Sequence, residues 1–268
     1  MIAVYILLGV LVLLFALFLF LVFPTRRRHP HRAVLGGAFI AHRGLHSDTL
    51  PENSLAAFRA ATEAGYIIEN DIHLTADGEV VVFHDDNPVR MCGVSGRIEE
   101  MTLDELKALR LKDSDQQIPT LKECLEAVDG QVPLLIEFKC PNARTCTPLC
   151  EAANAILKDY KGMYFIQSFY PPVLRWYRKH RPEVCRGQLS SAFPKEGLVK
   201  RLLGCMVFNC LARPDFVSYE HRFAAHPCRR LVTRLGALPV GWTFQSPKEL
   251  ERHRTDFRTY IFEGFIPQ

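Results

Sequence analysis

Apolar and polar positions follow two different periods along this chain, and the switches between them mark out its elements. Residues 2–23 contain no charge. At 1.5 Å per residue a helix of that length reaches about 33 Å, enough to cross a hydrocarbon core. Leu, Phe and Val fall on every side of its helical wheel, which leaves no polar face for water. Residues 1–23 therefore read as a transmembrane anchor. A cleaved signal peptide fits poorly, because Met1 to Val4 carries no basic side chain and no small-residue cleavage site follows.

Residues 24–37, with Pro24, Pro30 and the Gly36-Gly37 pair, read as a juxtamembrane linker. Beyond it, short apolar runs predict strands over 38–42, 67–74, 80–84, 134–138, 163–167, 186–190, 215–218, 239–243 and 260–262. Helical periodicity predicts helices over 54–64, 103–109, 121–128, 148–160, 173–180 and 247–253. Strand and helix alternate, which implies parallel strands joined by crossover helices. For one domain over 38–268, the expected architecture is α/β, a (β/α)8 TIM barrel. One strand too many is predicted for eightfold closure. Residues 80–84 are assigned to a hairpin extension of the second strand, with 85–102 as an inserted loop on the same face.

Composition changes this picture little. The chain has 268 residues, 48% hydrophobic and 23% charged, and no low-complexity tract. Its net charge of +4 is concentrated in Arg26, Arg27, Arg28, His29, His31 and Arg32. No basic stripe with interleaved aromatics runs through the rest, so no nucleic-acid partner is expected. The cluster lies on the C-terminal flank of the anchor. By the positive-inside rule this predicts a single-pass membrane protein, N-out and C-in, with a cytoplasmic domain. Nine cysteines lack any CxxC spacing and predict reduced thiols, not a zinc site.

Candidate chemistry gathers where strands end. His42 and Arg43 follow the first strand, Glu69 and Asp71 lie on the second, His84 and Asp85 follow the hairpin, and Glu137 and Lys139 close the next strand. In barrels these C-terminal ends converge on one mouth. Glu69 and Asp71 are two apart and share a strand face, and Glu137 can arrive from the neighbouring strand. Three carboxylates on one patch repel, and a hard divalent cation, Mg²⁺ or Ca²⁺, would relieve that repulsion. His42 and His84 suit proton transfer near neutral pH, while Arg43 and Lys139 can offset charge on a phosphoryl group. Asp85 reads either as an imidazole partner or as a cap. Glu52 reads either as a contact to the metal or a substrate hydroxyl or as a first-turn acid, and Trp242 either as a pocket floor or as core.

These residues resemble the glycerophosphodiester phosphodiesterase family. The resemblance is carried by His42-Arg43-Gly44, Glu52-Asn53-Ser54, Glu69-Asn70-Asp71, the turn from Leu74 to Gly78, and Val81 to Asp85. It continues through Ile118 to Leu121, Ile136 to Lys139, Gln167-Ser168-Phe169 and Gly241-Trp242-Thr243. It implies a barrel with an insertion after the second strand and one divalent ion on Glu69, Asp71 and Glu137. It further implies His42 and His84 as the acid-base pair, with hydrolysis of glycerophosphodiesters or lysophospholipids to glycerol 3-phosphate or lysophosphatidate and an alcohol. Two places depart from the family pattern. Asn70 replaces a hydrophobic residue, and the closing Ile-Thr-Asp-x-Pro is altered between Phe262 and Pro267. The competing readings are a related barrel phospholipase acting on other lipid phosphodiesters and a non-catalytic membrane scaffold.

Overall fold

The structure, a computed structural model, describes residues 1–27 and 29–267; Arg28 of the basic cluster lies outside the described residues. Helix α1 (Ile2–Val22) has a mean hydropathy of 3.1 over its most apolar window, and it is long and apolar enough to cross a membrane. A short helix, α2 (Arg32–Leu35), precedes nine strands: β1 (Phe39–Ala41), β2 (Ile67–Leu74), β3 (Val80–Val82), β4 (Leu134–Phe138), β5 (Tyr164–Ser168), β6 (Arg186–Ser190), β7 (Phe216–Glu220), β8 (Leu238–Phe244) and β9 (Thr259–Phe262).

Eight of these strands close a parallel barrel, because β1 pairs with both β2 and β9 (Ile40 opposite Ile67 and Ile261). The ninth, β3, pairs antiparallel with the far end of β2, as expected for the hairpin extension. The insertion that follows holds more than a loop. It contains the helix Val89–Cys92 and a helical turn at Ile98–Glu100, and with the expected helix that follows, Leu103–Lys107, it encloses a small core in which Val81, Phe83, Met91, Ile98 and Leu106 are buried together.

Alternation along the strands sets what faces inward. Ile40, Ile67, Leu135, Phe165, Phe216, Val240 and Ile261 form an apolar layer inside the lower barrel. Burying each such side chain stabilises the fold by about 1.5–3 kcal/mol. Two residues further along, the same inward parity delivers His42, Glu69, Glu137, Gln167, Ser218, Trp242 and Glu263 to the upper end. Outward residues such as Ile68, Ile72, Ile136 and Phe138 pack beneath the helices. Leu35 of α2 joins the lower apolar layer, and its carbonyl accepts the Thr259 hydroxyl, so α2 closes the bottom of the barrel. The described residues of the segment 24–37 are thus docked on either side of Arg28: Thr25 N–H also donates to the Pro214 carbonyl and Gly37 N–H to that of Arg258.

Asn70 points outward into the helix layer. Its amide nitrogen meets only the Cys124 sulfur, 3.7 Å away, and its carbonyl oxygen is buried without a partner among the described residues.

Candidate active site

The upper mouth is a cleft of about 400 Å³ whose walls include His42, Arg43, Glu69, His84, Glu137 and Lys139. The β2–β4 register puts Asp71 opposite Glu137, and one oxygen from each of Glu69, Asp71 and Glu137 lies within 4.8 Å of the others. All three carboxylates are buried. Glu69 Oε1 has no hydrogen-bond partner among the described residues, which suits an oxygen able to ligate a cation.

Electrostatics within the cluster are uneven. Burial, together with repulsion from Asp71 and Glu137, pushes the Glu69 pKa well above the usual carboxylate range. Burial likewise lifts Glu137 to about 7. Asp71 is subject to the same burial, but Lys139, His84 and Arg43 outweigh it and hold Asp71 well below its ordinary value. Lys139 Nζ lies 2.6 Å from Glu137 Oε1 and 3.1 Å from Asp71 Oδ1, and these carboxylates keep its ammonium charged despite burial. Raised carboxyls beside each other fit an acceptor set for one divalent ion, since the cation supplies the charge that the protein itself lacks.

Each histidine is held from behind. His42 Nδ1 donates to Glu263 Oε2 at 2.5 Å, which leaves Nε2 facing the cluster, 4.0 Å from Glu69. His84 Nδ1 donates to Asp85 Oδ1 at 2.6 Å, and Arg90 holds that carboxylate in turn. A carboxylate on Nδ1 fixes the tautomer and leaves Nε2 to exchange a proton. Burial lowers both histidine pKa values, that of His84 to about 4.

The turn after β1 brings His42 and Arg43 to the mouth. Arg43 and Asn53 both adopt left-handed backbone, and Gly44 does so at φ 80°. Arg43 N–H donates to Glu69 Oε2 at 3.1 Å, and its guanidinium reaches Glu52 Oε1 at 2.8 Å. Glu52 is engaged from both sides. Arg90 and Arg43 overcome the upward push of burial and hold its pKa at about 2, so it stands behind Arg43 and does not line the cleft. Trp242 lines the cleft beside Phe169, with ring centroids 5.8 Å apart.

Three partners were not evident from sequence. Asn53 donates from its side chain to Asp71 Oδ2 at 2.9 Å, while the helix cap falls to Ser54, which accepts from Ala57 N–H. Glu263 belongs to the altered C-terminal motif, whose acidic character was the available signal, and Gln245 donates to it at 2.8 Å.

Comparison with known proteins identifies the family. The sequence profile of the glycerophosphoryl diester phosphodiesterase family matches residues 42–255. A glycerophosphodiester phosphodiesterase of Caldanaerobacter subterraneus subsp. tengcongensis is 34% identical over 160 residues, which is 56% of this chain and 65% of that protein. The human protein named lysophospholipase D GDPD1 is 33% identical over 53% of this chain and 48% of its own length. Each alignment thus spans less than two thirds of the relative. Among solved structures, a Thermotoga maritima glycerophosphodiester phosphodiesterase superposes with a TM-score of 0.65 at 27% identity, covering 84% of this chain and 93% of the other. An Oleispira antarctica phosphodiesterase in complex with sn-glycerol-3-phosphate gives 0.72 at 24% identity, covering 86% and 94%, and shares the fold. With four fifths of its length matched by one profile, the chain belongs to the glycerophosphoryl diester phosphodiesterase family.

Proposed function

We propose that the protein hydrolyses glycerophosphodiesters to glycerol 3-phosphate and an alcohol, with His42 and His84 exchanging the protons. One observation carries this reading: two imidazoles, each held at Nδ1 by a carboxylate, line the same cleft as the buried carboxylates, His42 with Nε2 4.0 Å from Glu69. Glu69, Asp71 and Glu137 would hold a divalent ion, Mg²⁺ or Ca²⁺, which when bound polarises the phosphoryl oxygens.

The chain's own residues do the rest. Arg43 and Lys139 orient the phosphodiester and offset its charge. One imidazole takes the proton of a neighbouring glycerol hydroxyl as its oxygen attacks phosphorus; the other protonates the departing alkoxide as the P–O bond to the alcohol breaks. Water then opens the cyclic phosphate, with the two imidazoles exchanging roles. Trp242 and Phe169 close one wall around the glycerol moiety. Lysophospholipids form a second substrate class, on the strength of the name carried by the human relative.

Helix α1 crosses a membrane with the barrel on the cytoplasmic side, a reading supported by its hydropathy and by the arginines that follow it. The test is a substrate panel of glycerophosphocholine, glycerophosphoethanolamine, glycerophosphoglycerol and lysophosphatidylcholine, with Mg²⁺ or Ca²⁺ added. Turnover of the first three is expected, and His42→Ala or His84→Ala should cost about 10² to 10⁴ in rate. Activity confined to intact diacyl lipids would reject the proposal, and no turnover of any diester would favour a scaffold.

A further inference from the structure

At the opposite end of the barrel from the catalytic mouth, α1 meets arginines drawn from separate segments. Only the end of α1 touches the barrel. Residues as far as Leu17 are exposed, whereas Val22 is fully buried and its carbonyl accepts the Asn209 side-chain amide at 3.0 Å. Arg213, at the end of the short helix Asn209–Ala212, sits in left-handed backbone at φ 47°, a conformation costly for any residue but glycine. Its guanidinium donates to the carbonyls of Phe20 and Phe23 at 2.9 and 2.7 Å and lies over the Phe20 ring. A cation at this point also complements the C-terminal end of the helix dipole.

A cleft of about 800 Å³ opens beside this joint, with Arg26, Arg27, Arg178, Arg186 and Arg213 in its walls. Asp215 is the one acid in the lining among the described residues. It is buried at the floor, where it accepts the main-chain N–H of Arg186 at 3.1 Å. Arg178 donates to the carbonyls of Cys210 and Leu211, so Arg178 and Arg213 both meet main-chain oxygens and no carboxylate among the described residues. Burial, with Arg178 and Arg26 nearby, pushes the Arg213 pKa down. Gathering five arginines around a single acid costs free energy. The same cleft is walled by Leu19, Phe20 and Phe23 of the apolar segment, so a cationic rim adjoins an apolar wall. That combination complements an amphiphile with an anionic head, and guanidinium groups suit phosphate oxygens best.

We propose that this cleft binds the phosphate of an anionic bilayer lipid and seats the bottom of the barrel on the membrane surface. The site is separate from the catalytic reading and rests on α1 lying in a bilayer. In that pose the catalytic mouth faces away from the lipid, which suits a soluble diester arriving from the aqueous phase.

The test uses the full chain in nanodiscs of phosphatidylcholine alone and of phosphatidylcholine mixed with phosphatidylglycerol, read by amide hydrogen exchange. Exchange over residues 24–27 and 209–215 should slow roughly tenfold in the mixed nanodisc, the linkage expected when ligand exceeds its Kd about tenfold. The slowing should vanish in an Arg26→Gln/Arg27→Gln/Arg178→Gln variant whose exchange across β2 and β4 matches the parent, which shows that its barrel is folded. Inorganic phosphate added to the phosphatidylcholine nanodisc should leave exchange unchanged. Equal slowing by inorganic phosphate would overturn the lipid assignment, and equal exchange in the two nanodiscs, or slowing retained by the variant, would overturn the site. A chain that enters neither nanodisc would remove the anchor and the proposal together.

Discussion

Glu263 and Asp85 hold the two imidazoles in matching ways, but the two carboxylates are supplied very differently. Asp85 adjoins His84 in the chain, while Glu263 reaches His42 across 221 positions. Replacing Glu263 with Gln keeps the shape and removes the charge that fixes the His42 tautomer. Steady-state kinetics on glycerophosphocholine should show kcat lowered about 10- to 100-fold with KM little changed; an unaltered kcat would mean that His42 is oriented by other contacts. Asn70 calls for the reverse experiment. Its buried, unpartnered carbonyl oxygen faces the helix layer, where valine would suit both strand and packing. Asn70→Val should therefore raise the unfolding free energy by about 1–3 kcal/mol in urea titration, with catalysis unchanged because the side chain points away from the mouth. Local patterning made the carboxylates and both histidines legible in the sequence, since each falls on an inward strand position or just past a strand end. Asn53 and Glu263 were not legible as site residues, because their partners are chosen by barrel closure and not by neighbours in the chain.

At the scale of elements, the strands were easier to read than the helices. Strands β2, β4 and β6 lie where the apolar runs end, because a strand inside a barrel is buried on both faces and its boundaries are sharp. The helices Leu198–Gly204, Asn209–Ala212 and Pro227–Arg234 escaped sequence reading. The first two are short and the third is rich in arginine, so none offers a long apolar stripe. The turn after β1 carries His42 and Arg43 to the cleft. Gly44 adopts φ 80°, and a Cβ there would lie 2.9 Å from the Ala57 carbonyl carbon, on the helix Leu55–Glu63. Its own N–H lies 3.2 Å from the Glu69 carbonyl, so the turn binds β1 to β2 beside the site. Gly44→Ala meets both backbone strain and a backbone clash, which together should cost about 1–3 kcal/mol. Thermal unfolding and the rate constant should fall together in this variant. A loss of stability with full activity would show that the His42-Arg43 turn tolerates displacement.

For the whole molecule, the decisive tension lies between a buried acidic cluster and the barrel that encloses it. Burial and mutual repulsion raise the Glu69 pKa and lift Glu137 to about 7, from an ordinary carboxylate value near 4.5. The folded state therefore binds these protons more tightly than the unfolded chain does. Stability from this source is fully present below about pH 4.5, and the share from Glu137 is lost as pH rises through about 7. A divalent ion held by Glu69, Asp71 and Glu137 would reverse the sign, since it would bind the ionised carboxylates and compete with protons for the same oxygens. The gain in unfolding midpoint on adding Mg²⁺ or Ca²⁺ should accordingly be small at pH 5 and grow toward pH 8. At a hundredfold excess over Kd it should approach about 2.7 kcal/mol, or roughly 5–10 °C for a domain of this size. Taking the difference with and without cation at each pH cancels every titrating group that does not touch the ion. The check is thermal unfolding with chelator or cation across that range, repeated on Glu137→Gln, in which both the gain and its pH dependence should shrink. A gain that is flat with pH, or undiminished in Glu137→Gln, would place the cation somewhere other than between Glu69, Asp71 and Glu137.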